Sequence, residues 1–257
     1  MGYWEERQAE TQAKLTSKSI AQTEKQLIKY YSQAQEKIIG QFEQTYNKLL
    51  LSIENGKQPT PADLYKLSTY WEMQGQLKNE LQALGYKQAE ILNKNFIAQY
   101  QQIYESMAIK DDLHFSTIDT ETAQQMINHI WCADGKSWSE RIWTNTDLLQ
   151  EQLNQNLIDC LVSGKKSTDL KHLLMESFGV SYNRADSLVR TEMAHIQTQA
   201  ARQRYTDAGV QEVEVWADAD ERRCDVCGEL HKKRFPIGGK MPIPAHPRCR
   251  CCILPVI

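Results

Sequence analysis

Apolar and small residues fall at Leu27, Tyr31, Ala34, Ile38, Phe42, Thr45, Leu49 and Ile53, each three or four apart. That is the spacing of a single helical stripe. From Gln8 to the residue before Gly40 neither glycine nor proline interrupts the chain, and glutamines and lysines occupy the other faces. Such a helix is stable only when its stripe is packed on a partner. The run breaks at Asn55-Gly56 and Pro59. Thr60-Pro61-Ala62-Asp63 then has the form of a helix start, with Thr60 as N-cap, Pro61 at the first helical position and Asp63 near the positive end of the dipole. Leu64, Leu67, Trp71, Leu77, Leu81 and Leu84 carry a second stripe to Gly85, and residues 91–107 read as further helix. Two long antiparallel helices joined by a turn are the simplest arrangement.

A turn-like segment over 110–117 separates this hairpin from shorter helices. Thr120 is positioned to cap a helix to Trp131, Ser139 one reaching Val162 with Ser163-Gly164 as its stop, and Ser167 or Thr168 one ending at Phe178-Gly179. Ser181 opens the clearest of them, with Leu188, Val189, Met193, Ile196 and Ala200 on one face and Gly209 as its stop. Immediately afterwards Val213 and Val215 alternate with acids and lead to Trp216, a strand signal. The chain is therefore expected to be mainly α, with a long N-terminal helical hairpin (residues 1–109, partner-binding), a helical domain (110–209) and a small α+β C-terminal module resembling a zinc knuckle (210–257). No internal repeat is visible.

Composition narrows the function classes. With 257 residues, 41% of them hydrophobic, the chain is long enough to bury a core without a metal, and a formal charge of -3 does not drive it onto nucleic acid. The charge is uneven: from Ala217 onward eight Lys/Arg face five Asp/Glu, against 22 and 28 before it. This is a mildly basic tail. The N-terminus has acids where a secretory signal needs a basic and then an apolar run, and no stretch approaches a membrane span of roughly 18 to 20 apolar residues. A reducing compartment is expected, where clustered cysteines favour metal over disulfides.

Residues 224–252 hold five of the seven cysteines and two of the six histidines. Cys224-x2-Cys227 is a knuckle pair, with Gly228 expected to let the backbone fold so that both sulfurs face one point. His246-x2-Cys249 supplies a second pair after 18 intervening residues, stiffened by Pro242, Pro244 and Pro247. Two closely spaced pairs of thiolate and imidazole suit tetrahedral zinc in a structural role. Cys251, and beyond it Cys252, are alternative ligands for the second pair. Reduced cysteines that simply pack, or a disulfide such as Cys227 to Cys249, are the competing readings. His231 is expected on a strand beside Lys232 as a solvated residue, and Cys132 and Cys160 in helices as small core fillers.

Glu192 and His195 share a helix face, and Asp169-x2-His172 repeats the spacing. A di-metal carboxylate bundle would need Glu-x2-His twice and two further glutamates. The expected role is a polar edge that orients the helix, with Glu192 anchoring a backbone donor or an arginine such as Arg222 or Arg250. Asp218, Asp220 and Glu221 are expected to be solvated capping acids. The sequence has no nucleophile elbow, phosphate-cradling loop or HExxH motif, so no enzyme is expected.

The run Arg190-Thr191-Glu192, then Ala200, Tyr205, Gly209, Trp216, Asp220-x-Arg222-x-Cys224-x2-Cys227 and His246-Pro247-x-Cys249-Arg250-Cys251 resembles the C-terminal signature of the phage Mu F-like minor head proteins of tailed phages. The resemblance is most specific from Arg190 to Pro255; Trp143 and the segment from Leu148 to Gly164 agree only in general character. It implies a minor capsid or head morphogenesis protein that associates with the portal and procapsid interior, in the virion and, during assembly, the host cytoplasm. Its partners would be portal, capsid or scaffold proteins, with packaged DNA a further one, and neither a membrane nor a small-molecule substrate. Some relatives carry toxin or enzyme domains after the signature; here the sequence ends six residues after Cys251, which argues for a structural role. Two rival readings remain: a zinc-stabilised DNA-binding module using Arg222, Arg223, Lys232, Lys233, Arg234, Arg248 and Arg250, and a metal-dependent nuclease built on Glu192, His195 or the Asp218/Asp220 group.

Overall fold

The computed structural model describes residues 3–52, 59–107, 117–217 and 220–256. Seven helices and three strands follow in the order α1 (Tyr3–Ser52), α2 (Pro61–Leu64), α3 (Ser68–Ser106), α4 (Thr120–Ile127), α5 (Trp138–Val162), α6 (Ser167–Asp207), β1 (Glu212–Trp216), α7 (Asp225–Leu230), β2 (Arg234–Pro236) and β3 (Cys252–Val256). The fold is mainly helical with a small C-terminal antiparallel sheet, as the periodicity predicts. Among the described residues no helix is long and apolar enough to cross a membrane. The expected turns at Asn55-Gly56 and over 110–116 lie outside the described residues.

Several local signals act as read. Thr60 caps α2 in a reciprocal box, its hydroxyl accepting the Asp63 amide while Asp63 accepts the Thr60 amide, with Pro61 at the first position. Gly164 and Gly209 end α5 and α6 with φ of 64° and 78°, values that suit glycine. The boundaries of α4 and α5 differ slightly: Asp119, not Thr120, caps α4, which stops at Ile127, and α5 begins one residue before Ser139.

Two expectations are corrected. Helix α6 runs unbroken through Gly179, where sequence reading places a stop. Gly179 is exposed while Leu174, Phe178 and Ala185 on the same helix are buried, so the roughly 1 kcal/mol cost of a mid-helix glycine is outweighed by that packing. In α3 up to Leu84 the buried apolar residues are Tyr70, Met73, Leu77, Leu81 and Leu84, and Trp71 stands 58% exposed. The stripe restarts there because α2 closes at Leu64 and α3 opens afresh at Ser68.

The residues pack as two compact units, each assembled from separated stretches: Met1–Glu24, Ile91–Trp138 and Asp186–Ile257 in one, Lys25–Glu90 and Ser139–Ala185 in the other. In the unit containing 25–90, Tyr31, Ile38, Phe42, Tyr46 and Leu49 of α1 join the α3 stripe, Leu149, Leu153, Leu157 and Cys160 of α5, and Leu170, Leu174 and Phe178 of α6 in one apolar core. Each such side chain contributes about 1.5–3 kcal/mol by leaving water. Tyr31 meets Gln88, and Lys37 pairs with Glu80 at 2.6 Å, so α1 and α3 run antiparallel here.

The unit containing the C-terminus has a different interior. Thr16 meets Gln99 and Thr23 meets Asn95, again antiparallel, through hydrogen bonds of 2.7 and 2.9 Å. The sheet has the order β2-β1-β3. Val213 and Val215 face inward from β1, opposite Phe235 and Ile253. Cys252 and Leu254 of β3 pack with Ala9 of α1 and with Trp216.

Candidate metal centre

Two short turns bring the Cys/His ligands together. Cys224 is the N-cap of α7; its sulfur accepts the Cys227 amide at 3.4 Å, and its carbonyl accepts the Gly228 amide at 2.9 Å. The helical turn sets both sulfurs on one side. Gly228 does this without unusual backbone geometry, and an added Cβ there would meet only Arg223 Nε at 3.8 Å, so the expected need for glycine is not found. In the second pair the Cys249 amide donates to the His246 carbonyl at 3.2 Å, and Arg248 between them adopts φ 61°. That left-handed residue is held from α6, its amide donating to Thr191 Oγ1 at 3.0 Å and its guanidinium meeting Asp186 at 2.8 Å.

The two turns place Cys227 Sγ 3.1 Å from His246 Nε2 and 3.8 Å from Cys249 Sγ, with Cys224 Sγ 3.3 Å from the same nitrogen. In tetrahedral zinc sites the S···S edge is about 3.8 Å and the S···N edge about 3.6 Å. Among the described residues two overlapping sets could hold a metal ion, Cys224/Cys227/His246 and Cys227/Cys249/Cys251, each with its ligand atoms within 4.8 Å. Cys252 instead belongs to the apolar cluster of β3. None of the seven cysteines is joined in a disulfide.

The chemistry of the donors fits a cation. His246 Nδ1 lies 2.8 Å from the Pro247 carbonyl, which can only accept, so the proton sits on Nδ1 and the Nε2 lone pair faces the sulfurs. The same carbonyl raises the His246 pKa. The Cys251 thiol donates to Cys249 and, against the cost of burial, brings Cys249 down to about 5 with help from backbone amides. Cys251 is itself pushed up by that donation. Burial pushes Cys227 up to about 12, so this sulfur needs a positive partner to become a thiolate.

The other candidates are dispersed. His231 is the C-cap of α7 rather than a strand residue; its Nδ1 accepts the Ala217 amide at 3.2 Å and its ring meets Trp216 edge-on. Asp220 is held by both terminal nitrogens of Arg250 and caps the Arg222 amide, which lowers its pKa. Asp218 lies outside the described residues. Glu192 and His195 are 4% and 6% exposed, and the Trp131 indole serves both: it donates to Glu192 at 3.0 Å and stacks on His195 at 4.2 Å. The anchor of Glu192 is thus an indole from the segment after α4, which sequence reading did not pair with it. Burial and nearby His129 hold the His195 pKa down to about 3. Asp169 accepts the Lys166 amide at the start of α6, and His172 is exposed. Cys160 is a buried core residue as expected, whereas Cys132 is half-buried and outside any helix.

Residues 151–254 match the family described as Phage Mu protein F like protein. The matched segment starts well upstream of Arg190, where sequence reading finds the resemblance most specific, and takes in the last 12 residues of α5 and all of α6. No curated protein and no solved structure matches the chain. This segment, which covers less than half of the chain but contains every candidate ligand, is similar to the phage Mu F-like proteins.

Proposed function

We propose that the protein acts in phage head morphogenesis as a structural component of the particle, associated with the portal, and that one zinc ion staples its C-terminal module. The observation that carries the metal reading is the approach of Cys224 and Cys227 to His246 Nε2, already aimed by the Pro247 carbonyl, with Cys249 3.8 Å from Cys227. In this reading Cys249, one turn from His246, is the fourth ligand, and Cys251, which shares a cluster with Cys227 and Cys249, supports it. Zinc here would join two turns separated by a long, strand-poor connection, supplying folding free energy that a three-stranded sheet lacks. The family match supports the head-morphogenesis reading. Glu192 and His195, buried against Trp131, are assigned to structure rather than chemistry.

Elemental analysis of protein purified without chelator should give about one zinc per chain; well under half an equivalent overturns the metal reading. Co-expressed with its portal protein, the chain should co-purify through nuclease treatment. A second reading, DNA binding, is favoured by the exposed Arg222, Arg223, Lys232 and Lys233 of the module. An association that disappears with nuclease, or a steep loss of DNA binding between low and moderate salt, would select it.

A further inference from the structure

Helix α1 is one element with two kinds of interior. Over 27–49 it buries Leu27, Tyr31, Ile38, Ile39, Phe42, Tyr46 and Leu49. Over 3–24 its buried residues, among those described, are Ala9, Gln12, Thr16 and Thr23. This half is held by a polar seam: Thr16 donates to Gln197 at 2.6 Å and accepts from Gln99, Thr23 accepts from Asn95, and Gln197 reaches Gln12 at 3.3 Å. Cavities flank the seam on both sides, one of about 680 Å³ lined by Ala13, Ser17 and Ala21 together with Arg248, the other of about 500 Å³ lined by Lys18 and Gln22. Segments with few buried apolar contacts open first.

Gln12 and Glu24 of this segment attach on either side of the ligand loop. Gln12 Nε2 donates to the Ile253 carbonyl at 2.9 Å, two residues after Cys251. Glu24 pairs with Arg190, Arg190 with Asp186 at 3.0 Å, and Asp186 with Arg248, the residue between ligands His246 and Cys249. What the segment covers is β3, an outer strand of the sheet, whose Ile253 carbonyl accepts from Gln12 at 2.9 Å and from the Tyr205 hydroxyl of α6 at 3.4 Å. An uncovered outer strand is a pairing site for another chain.

We propose that residues 3–24 of α1 form a detachable arm over β3, and that the metal at the Cys/His cluster keeps it docked by fixing Arg248 and the chain entering β3. The gating rests on the zinc reading above; the arm does not. The polar seam sets the register of docking while leaving the arm less tightly held than the remainder of the helix. Loss of metal loosens Arg248 and Ile253 together, and the arm leaves.

Amide hydrogen exchange on the full chain, with zinc measured in the same sample, tests both halves. Peptides within 8–24 should exchange at least about tenfold faster than peptides within 27–49, and chelation should accelerate 8–24 further while leaving 27–49 unchanged. Equal protection along the helix overturns the arm. Zinc present with exchange of 8–24 indifferent to chelation overturns the gating alone, and a sample without zinc sinks the metal reading and the gating while the arm is still decided by the comparison along α1. Replacing the buried polar pair by apolar residues, Thr23→Val with Asn95→Leu, should slow exchange in 8–24 selectively; unchanged or faster exchange would contradict the assignment of the seam as the weak attachment.

Discussion

The indole of Trp131 lies flat on the imidazole of His195, ring centroids 4.2 Å apart and planes 7° from parallel. Burial keeps this imidazole neutral down to about 3, while in the unfolded chain it takes a proton near 6.5. The unfolded state therefore binds the extra proton between these values, so stability from this site is fully present above about pH 6.5 and lost as pH falls towards 3. The loss approaches about 1.4 kcal/mol per pH unit in that window. Denaturant unfolding from pH 7 to 4.5 should show a flatter pH dependence for His195→Phe, which keeps the stack but cannot protonate. Parallel curves for variant and parent would exclude this assignment.

The same indole donates to the buried Glu192 carboxylate at 3.0 Å. Trp131→Phe removes the donor and should cost about 1–3 kcal/mol in chemical denaturation. Glu192→Gln keeps an acceptor oxygen and should cost less than Trp131→Phe. A Glu192→Gln variant of unchanged stability whose particles assemble but fail to infect would reopen the question of chemistry at this helix.

Gly85 and Gly179 are both helical glycines, yet opposite outcomes are expected on changing them to alanine. A Cβ at Gly85 would stand 2.7 Å from the Trp143 ring, while at Gly179 it would meet nothing within 4 Å. Gly85→Ala should destabilise by about 1–3 kcal/mol through overpacking. Gly179→Ala should stabilise by about 0.5–1 kcal/mol, because alanine is the better helix former and the unfolded chain has fewer states to lose. Thermal unfolding of the two variants side by side checks both signs.

Cys249 and Cys251 are two residues apart but have different expected roles. Cys249→Ser should release the metal, whereas Cys251→Ser, which retains a donor to the Cys249 sulfur, should keep about one zinc per chain with weakened affinity, of order tenfold or more. Zinc content and competition with a chromophoric chelator measure this. Loss of zinc in Cys251→Ser with retention in Cys249→Ser would exchange the two assignments.

Local rules carried much of the chain. The three-and-four spacing from Leu27 to Leu49, the Thr60 cap, the stops at Gly164 and Gly209 and the alternation in β1 each depend on neighbouring residues alone, and each is realised. Where sequence reading missed at Gly179, packing had decided, since the helix continues because Phe178 and Ala185 are buried; Trp71 turns outward once α3 restarts at Ser68, its indole donating to the Tyr65 carbonyl.

The ligand pairs were visible for the same reason, since closely spaced cysteine and histidine residues are joined by one turn. The sequence by itself determined a helical chain ending in two knuckle pairs, because helix periodicity and turn chemistry are properties of a few consecutive residues. Only the tertiary structure decided that Cys252 faces the apolar cluster, that Glu192 answers to Trp131, and that the first half of α1 lies on β3 through glutamine and threonine rather than leucine. Those choices join residues tens to hundreds of positions apart, and their free energy comes from packing and desolvation that no local pattern records.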